Sequence, residues 1–99
     1  MSAQNLIKFT RLKEIYFDRK FNQEIKGVIP NFVSHLCFGN NFNQEIKEAI
    51  PDSVTHLIFG WYFNEEIKGA IPNSVIYLDI PKNFDNKKKI NDITNSMPN

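Results

Sequence analysis

Phenylalanine recurs every 21 residues, at Phe21, Phe42, Phe63 and Phe84, and proline keeps the same step at Pro30, Pro51 and Pro72. A fixed period of this size is the mark of a repeat architecture, in which each unit is one small structural element that cannot bury its apolar side alone. In register, the units run 11–31, 32–52 and 53–73, with a degraded fourth from residue 74 to about residue 94. Leu12, Val33, Val54 and Val75 align, as do Ile15, Leu36, Leu57 and Leu78, then Phe17, Phe38, Phe59 and Ile80. Farther along each unit come the repeating phenylalanine, then Ile25, Ile46 and Ile67, then Ile29, Ile50 and Ile71 before the proline. A single 21-residue loop has no second layer to cover so many apolar positions, so the units must stack and bury them against one another.

Around 14–17, 35–38, 56–59 and 77–80 apolar residues alternate with polar or mixed ones, the period of a strand with one buried face. Parallel strands of successive coils, ~4.8 Å apart, then form a sheet on one side of a short solenoid. The return path, as in 43–51, has apolar residues four apart, but little chain is left for a helix and proline closes the segment each time. Extended or 3₁₀-like geometry is expected there, with at most one helical turn. The fold class is thus mainly β, a solenoid of about four coils. It divides into an N-terminal cap over 1–11, the repeat solenoid over 12–80, and the degraded fourth coil with a tail over 81–99.

Composition narrows the function classes. With 99 residues there is room for one small domain. The net charge of +1 hides an acidic middle between basic ends, which favours neither nucleic acid nor a membrane surface. The single Cys37 forms no internal disulfide, no Asn-x-Ser/Thr sequon occurs, and no apolar run approaches a signal core or a membrane span. A cytoplasmic location is the resulting expectation. There is no glycine-rich phosphate loop, no GxSxG and no HExxH, and the carboxylates recur with the repeat instead of forming a unique pair. An enzyme is not expected, nor a cofactor.

The runs Phe-Asn-Gln-Glu-Ile-Lys-Gly-Val-Ile-Pro at 21–30, Phe-Asn-Gln-Glu-Ile-Lys-Glu-Ala-Ile-Pro at 42–51 and Phe-Asn-Glu-Glu-Ile-Lys-Gly-Ala-Ile-Pro at 63–72 resemble FNIP repeats. The linking Asp-Ser-Val-Thr-His-Leu-Ile-Phe-Gly at 52–60 is similar to that family's connecting segment, and the likeness covers 12–80. The resemblance implies a solenoid related to leucine-rich repeats, of amoebae and of large viruses that infect them. It also implies a partner-binding role, often behind an N-terminal F-box. Ten residues precede the first unit, against the ~40 that an autonomous domain needs, so no F-box is expected within this chain.

Candidate site residues follow from the coil. Asn22, Asn43 and Asn64, with Asp85 in the fourth unit, form a structural ladder that satisfies backbone groups at the turn after each strand. The stacked phenylalanines are core. The outward strand positions, Glu14, His35, His56 and Tyr77 in one column and Tyr16, Cys37, Ile58 and Asp79 in the next, vary between units and suit a protein partner. Trp61 and Tyr62 replace Asn40 and Asn41 at a turn and join this set as a contact point. His35 and His56 stack at strand spacing with Cys37 nearby, but a flat ladder suits tetrahedral zinc poorly, and no metal is expected. Glu24, Glu45 and Glu66 beside Lys26, Lys47 and Lys68 read as a solvated face, and Lys87–Lys89 as the polar edge of a capping coil. The expected function is a non-enzymatic scaffold that binds a protein through its strand face. The alternatives are a substrate-receptor fragment of an F-box-type ubiquitin ligase and a remnant of a longer array.

Overall fold

In the computed structural model the described residues are the backbone of 7–9, residues 13–82 and Phe84. Leu12, Asp85 and the lysine run 87–89 lie outside them. Five strands form one sheet in chain order: β1 (Ile7–Phe9), β2 (Glu14–Phe17), β3 (His35–Cys37), β4 (His56–Ile58) and β5 (Tyr77–Asp79). From β2 to β5 the pairing is parallel and each register step is 21 residues, Ile15 facing Leu36, Leu36 facing Leu57 and Leu57 facing Leu78. The repeat fixes this register, because a slip of one residue would turn every inward side chain to solvent. β1 instead runs antiparallel to β2, with Ile7 opposite Phe17.

Each coil turns at three corners. Phe21 donates its N–H to the Asp18 carbonyl at 2.9 Å, and Phe42, Phe63 and Phe84 repeat the bond. Val28, Ala49 and Ala70 donate to Ile25, Ile46 and Ile67 at 2.9–3.0 Å, and Val33, Val54 and Val75 to the carbonyls of Pro30, Pro51 and Pro72. The strand makes one side of the coil, a stretch of three residues such as 22–24 leads to the middle corner, and Ile29, Ile50 or Ile71 alone separates that corner from the last. The middle corner is a β-turn whose third residue has positive φ: Gly27 at 76°, Glu48 at 59° and Gly69 at 71°. This refines the expected return path. A 3₁₀ segment needs successive i→i+3 bonds, and a left-handed residue stops the series after one. Among the described residues there is no helix.

Glu48 holds by force a conformation that glycine holds freely in the neighbouring coils, at a cost of about 1 kcal/mol. Its carboxylate meets Lys26 Nζ at 3.5 Å, but both side chains are well exposed and such pairs contribute little. Glu48→Gly is therefore expected to raise stability by about 0.5–1 kcal/mol, read as a higher urea midpoint with an unchanged slope.

The interior is apolar throughout the described residues. Ile15, Leu36, Leu57, Val33 and Val54 are fully enclosed, with the phenylalanines stacked beside them in two columns. Phe17, Phe38 and Phe59 lie 4.8 and 5.4 Å apart between ring centres. Phe21, Phe42, Phe63 and Phe84 lie 6.1, 6.2 and 6.0 Å apart. The columns also touch each other, as at Phe38–Phe42, 4.1 Å.

Polar side chains bind one coil to the next at the corners. The Asn22 Oδ1 accepts the backbone N–H of Asn43 at 2.8 Å, and Asn43 Oδ1 that of Asn64 at 2.7 Å. Ser53 and Ser74 donate to the carbonyls of Val33 and Val54, both at 2.7 Å. Gly39 and Gly60 sit where each coil presses on the backbone before it: a Cβ on Gly60 would lie 2.3 Å from the Gly39 carbonyl oxygen.

Candidate functional site: the outward face of the sheet

Parallel pairing in register places the outward residues in two straight columns. Glu14, His35, His56 and Tyr77 stand one above another, and so do Tyr16, Cys37, Ile58 and Asp79. The inward neighbours Ile15, Leu36 and Leu57 anchor the strands, so the outward side chains stand on a rigid floor.

The first column is an aromatic stack. The His35 and His56 rings are 4.2 Å apart and within 10° of parallel, and Tyr77 follows at 5.9 Å, tilted by 30°. A hydroxyl from the preceding residue holds each imidazole: Ser34 Oγ lies 2.8 Å from His35 Nδ1 and Thr55 Oγ1 lies 2.9 Å from His56 Nδ1. Thr55 Oγ1 also lies 3.2 Å from the Ser34 carbonyl, which ties the support of this imidazole to the preceding coil. Sequence reasoning missed Ser34 and Thr55 as the residues that orient this pair, although each directly precedes its histidine.

Nearly parallel rings aim their lone pairs side by side, whereas a shared zinc requires nitrogens converging at ~2.0–2.1 Å. Among the described residues no group of three or more His, Cys, Asp or Glu side chains is placed to hold a metal ion.

In the second column the Tyr16 hydroxyl donates to the Glu14 carboxylate. This bond holds the phenol's proton and raises its pKa, with desolvation adding to the effect. Cys37 is a free, half-buried thiol whose pKa is pushed up first by burial and then by the charge of Asp79. A thiol held protonated is a poor nucleophile. Tyr16 and Tyr77 are 44% and 51% exposed, on either side of the half-buried Ile58.

Trp61 and Tyr62 are exposed at the corner after β4, outside the two columns, and Tyr62 donates its N–H to the Asn40 carbonyl at 3.0 Å. The asparagines run along the corner after the strand. They bridge successive coils through Asn22 and Asn43, whose side chains take the next coil's N–H, and Gln44 Nε2 adds a bond to Asn22 Oδ1 at 3.0 Å. Asp85 is outside the described residues.

The FNIP repeat pattern matches residues 10–41, 21–49 and 42–83, three overlapping stretches that span most of the chain. The chain belongs to the FNIP repeat family. Among solved structures, the FNIP coils resemble the crystal structure of CroV588, described as a novel circular LRR protein structure. The two share 47% sequence identity with a TM-score of 0.67, over 72% of this chain and 11% of that one. This FNIP array therefore spans about a tenth of the length of that relative. A comparison with curated proteins gives no match. The solenoid expected from the 21-residue period is thus a leucine-rich-repeat-like FNIP fold, and among its described residues no helix is long and apolar enough to cross a membrane.

Proposed function

We propose that this FNIP chain is a non-enzymatic scaffold that binds a protein partner through the outward face of β2–β5. One observation carries the reading. The positions that hold the coil together repeat as Ile or Leu and Phe, whereas the outward columns change at nearly every step and leave Tyr16 and Tyr77 about half exposed. Exposed tyrosines on a rigid sheet add contact area at low entropic cost, and aromatic residues are common hot spots of interfaces. The free Cys37 suits a cytoplasmic site of action.

The test is a Tyr16→Ala, Ile58→Ala, Tyr77→Ala triple variant, immobilised beside the parent chain and exposed to cytosol. Folding is checked by the far-ultraviolet spectrum and the melting curve. A partner retained by the parent and lost at least tenfold by the folded variant supports the strand face. An unchanged set of retained proteins removes it. A ubiquitin-ligase subunit among the proteins lost would make the scaffold a substrate receptor acting in trans.

A further inference from the structure

The two ends of the sheet differ. At one end β1 lies antiparallel on β2. At the other, β5 is the last described strand. Its inward residue Leu78 is 37% exposed, whereas Leu36 and Leu57, covered by the following coil, are 0% exposed. Beside it Ile76 is 79% and Tyr77 51% exposed. The backbone is oriented accordingly. Tyr77 donates its N–H to the Thr55 carbonyl and the Asp79 carbonyl accepts from Phe59, so both residues bond toward β4. Alternation along the strand then turns the N–H and C=O of Leu78 to the outer edge. An apolar edge of this kind is a template for another strand.

We propose that β5 is a dimerisation edge, pairing antiparallel with β5 of a second copy about a two-fold axis through Leu78. The edge itself selects this direction. A parallel pairing of two such edges needs an offset of one residue and turns one copy over, which sets Leu78 against Asp79 of the other copy, an apolar side chain against a carboxylate. In the antiparallel register Leu78 faces Leu78 of the second copy, the two exchanging a pair of N–H···O=C bonds. Each apolar side chain then comes against the other where a further coil's leucine would otherwise lie. On the outward face Tyr77 comes opposite Asp79 of the second copy, twice by symmetry, and a tyrosine hydroxyl already donates to a carboxylate on this face at Tyr16 and Glu14. Addition head to tail meets an end that β1 has taken, and when repeated it gives an open filament, whereas the two-fold contact closes. The proposal is independent of the partner-binding reading, because it is measured on the protein alone.

A single short edge buries less than a standard interface, so the association is followed by sedimentation equilibrium of the full chain up to roughly 1 mM. The expected result is a mass that rises with concentration from 11.6 kDa toward twice that value. Leu78→Lys brings two ammonium groups face to face and is expected to hold the chain monomeric throughout. A second measurement serves if that variant does not fold. With Cys37→Ser in the background, Leu78→Cys is expected to form a disulfide-linked dimer on oxidation, since opposed residues of a hydrogen-bonded antiparallel pair lie ~5.5 Å apart. Ser53→Cys in the same background is expected to stay monomeric. A parent chain that remains monomeric at roughly 1 mM overturns the proposal, and so does a dimer that survives in folded Leu78→Lys or gives no 78–78 cross-link.

Discussion

Phe42→Ala is expected to remove about 3–5 kcal/mol of stability, enough to abolish folding of most of the chain at 37 °C. The Phe42 ring is fully buried at the middle of the array. It contacts Phe38 at 4.1 Å, Phe21 at 6.1 Å, Phe63 at 6.2 Å and Phe59 at 6.5 Å. Alanine there leaves a cavity that rigid corners on both sides prevent from closing. A solenoid is coupled only through nearest neighbours, so the loss also separates the first coil from the third. For a domain of this size 1 kcal/mol corresponds to ~4–8 °C, which puts the expected fall in melting temperature above ~12 °C. A variant melting within a degree of the parent would show that the ring is not an interior group.

The second large effect is expected where nothing seems to be lost. Gly60→Ala adds one methyl group, and its Cβ would lie 2.3 Å from the Gly39 oxygen, 2.5 Å from the Gly39 carbonyl carbon and 2.9 Å from the Asn40 Cα. All three are backbone atoms, which cannot rotate aside. The coils must part, weakening the bond from Tyr62 N–H to the Asn40 carbonyl and the packing of Phe59 and Phe63 beyond it. The expected loss is ~1–3 kcal/mol or more, as for overpacked cores. Gly27→Ala is the control, since nothing lies within 4 Å of its added Cβ and only the φ of 76° resists it. Its cost is ~1 kcal/mol. Chemical denaturation of both variants separates close approach from backbone strain, and equal losses would contradict the packing argument.

These residues also mark how far the chain could be read without coordinates. The coil, its parallel strands and both phenylalanine columns were legible because every unit repeats the same burial, so each position is stated three times. What does not repeat was not legible. Ile7–Phe9 has no counterpart in the period, and nothing in its three residues specifies antiparallel pairing with β2. The left-handed corner is marked by Gly27 and Gly69 but disguised by Glu48, whose side chain gives no sign of its backbone. The two outward columns followed directly from strand alternation. The orientation of His56 did not, because it depends on the Thr55 hydroxyl, which also reaches the Ser34 carbonyl of another coil. Leu78 is identical in sequence role to Leu57 and differs only in lacking the same cover.

The ring spacings carry one more consequence. Equivalent rings of adjacent coils are 4.8 and 5.4 Å apart in the first phenylalanine column and 6.0–6.2 Å apart in the column behind it. Hydrogen bonding holds the parallel strands ~4.8 Å apart, less than the spacing of the deeper rings, so each coil is a wedge with its thin edge at the strands. Stacked wedges bend the axis toward that edge, which makes the strand face concave and tilts its outward side chains toward one another. A surface that follows both columns at once is therefore convex, and every coil added to such an array would tighten the same bend.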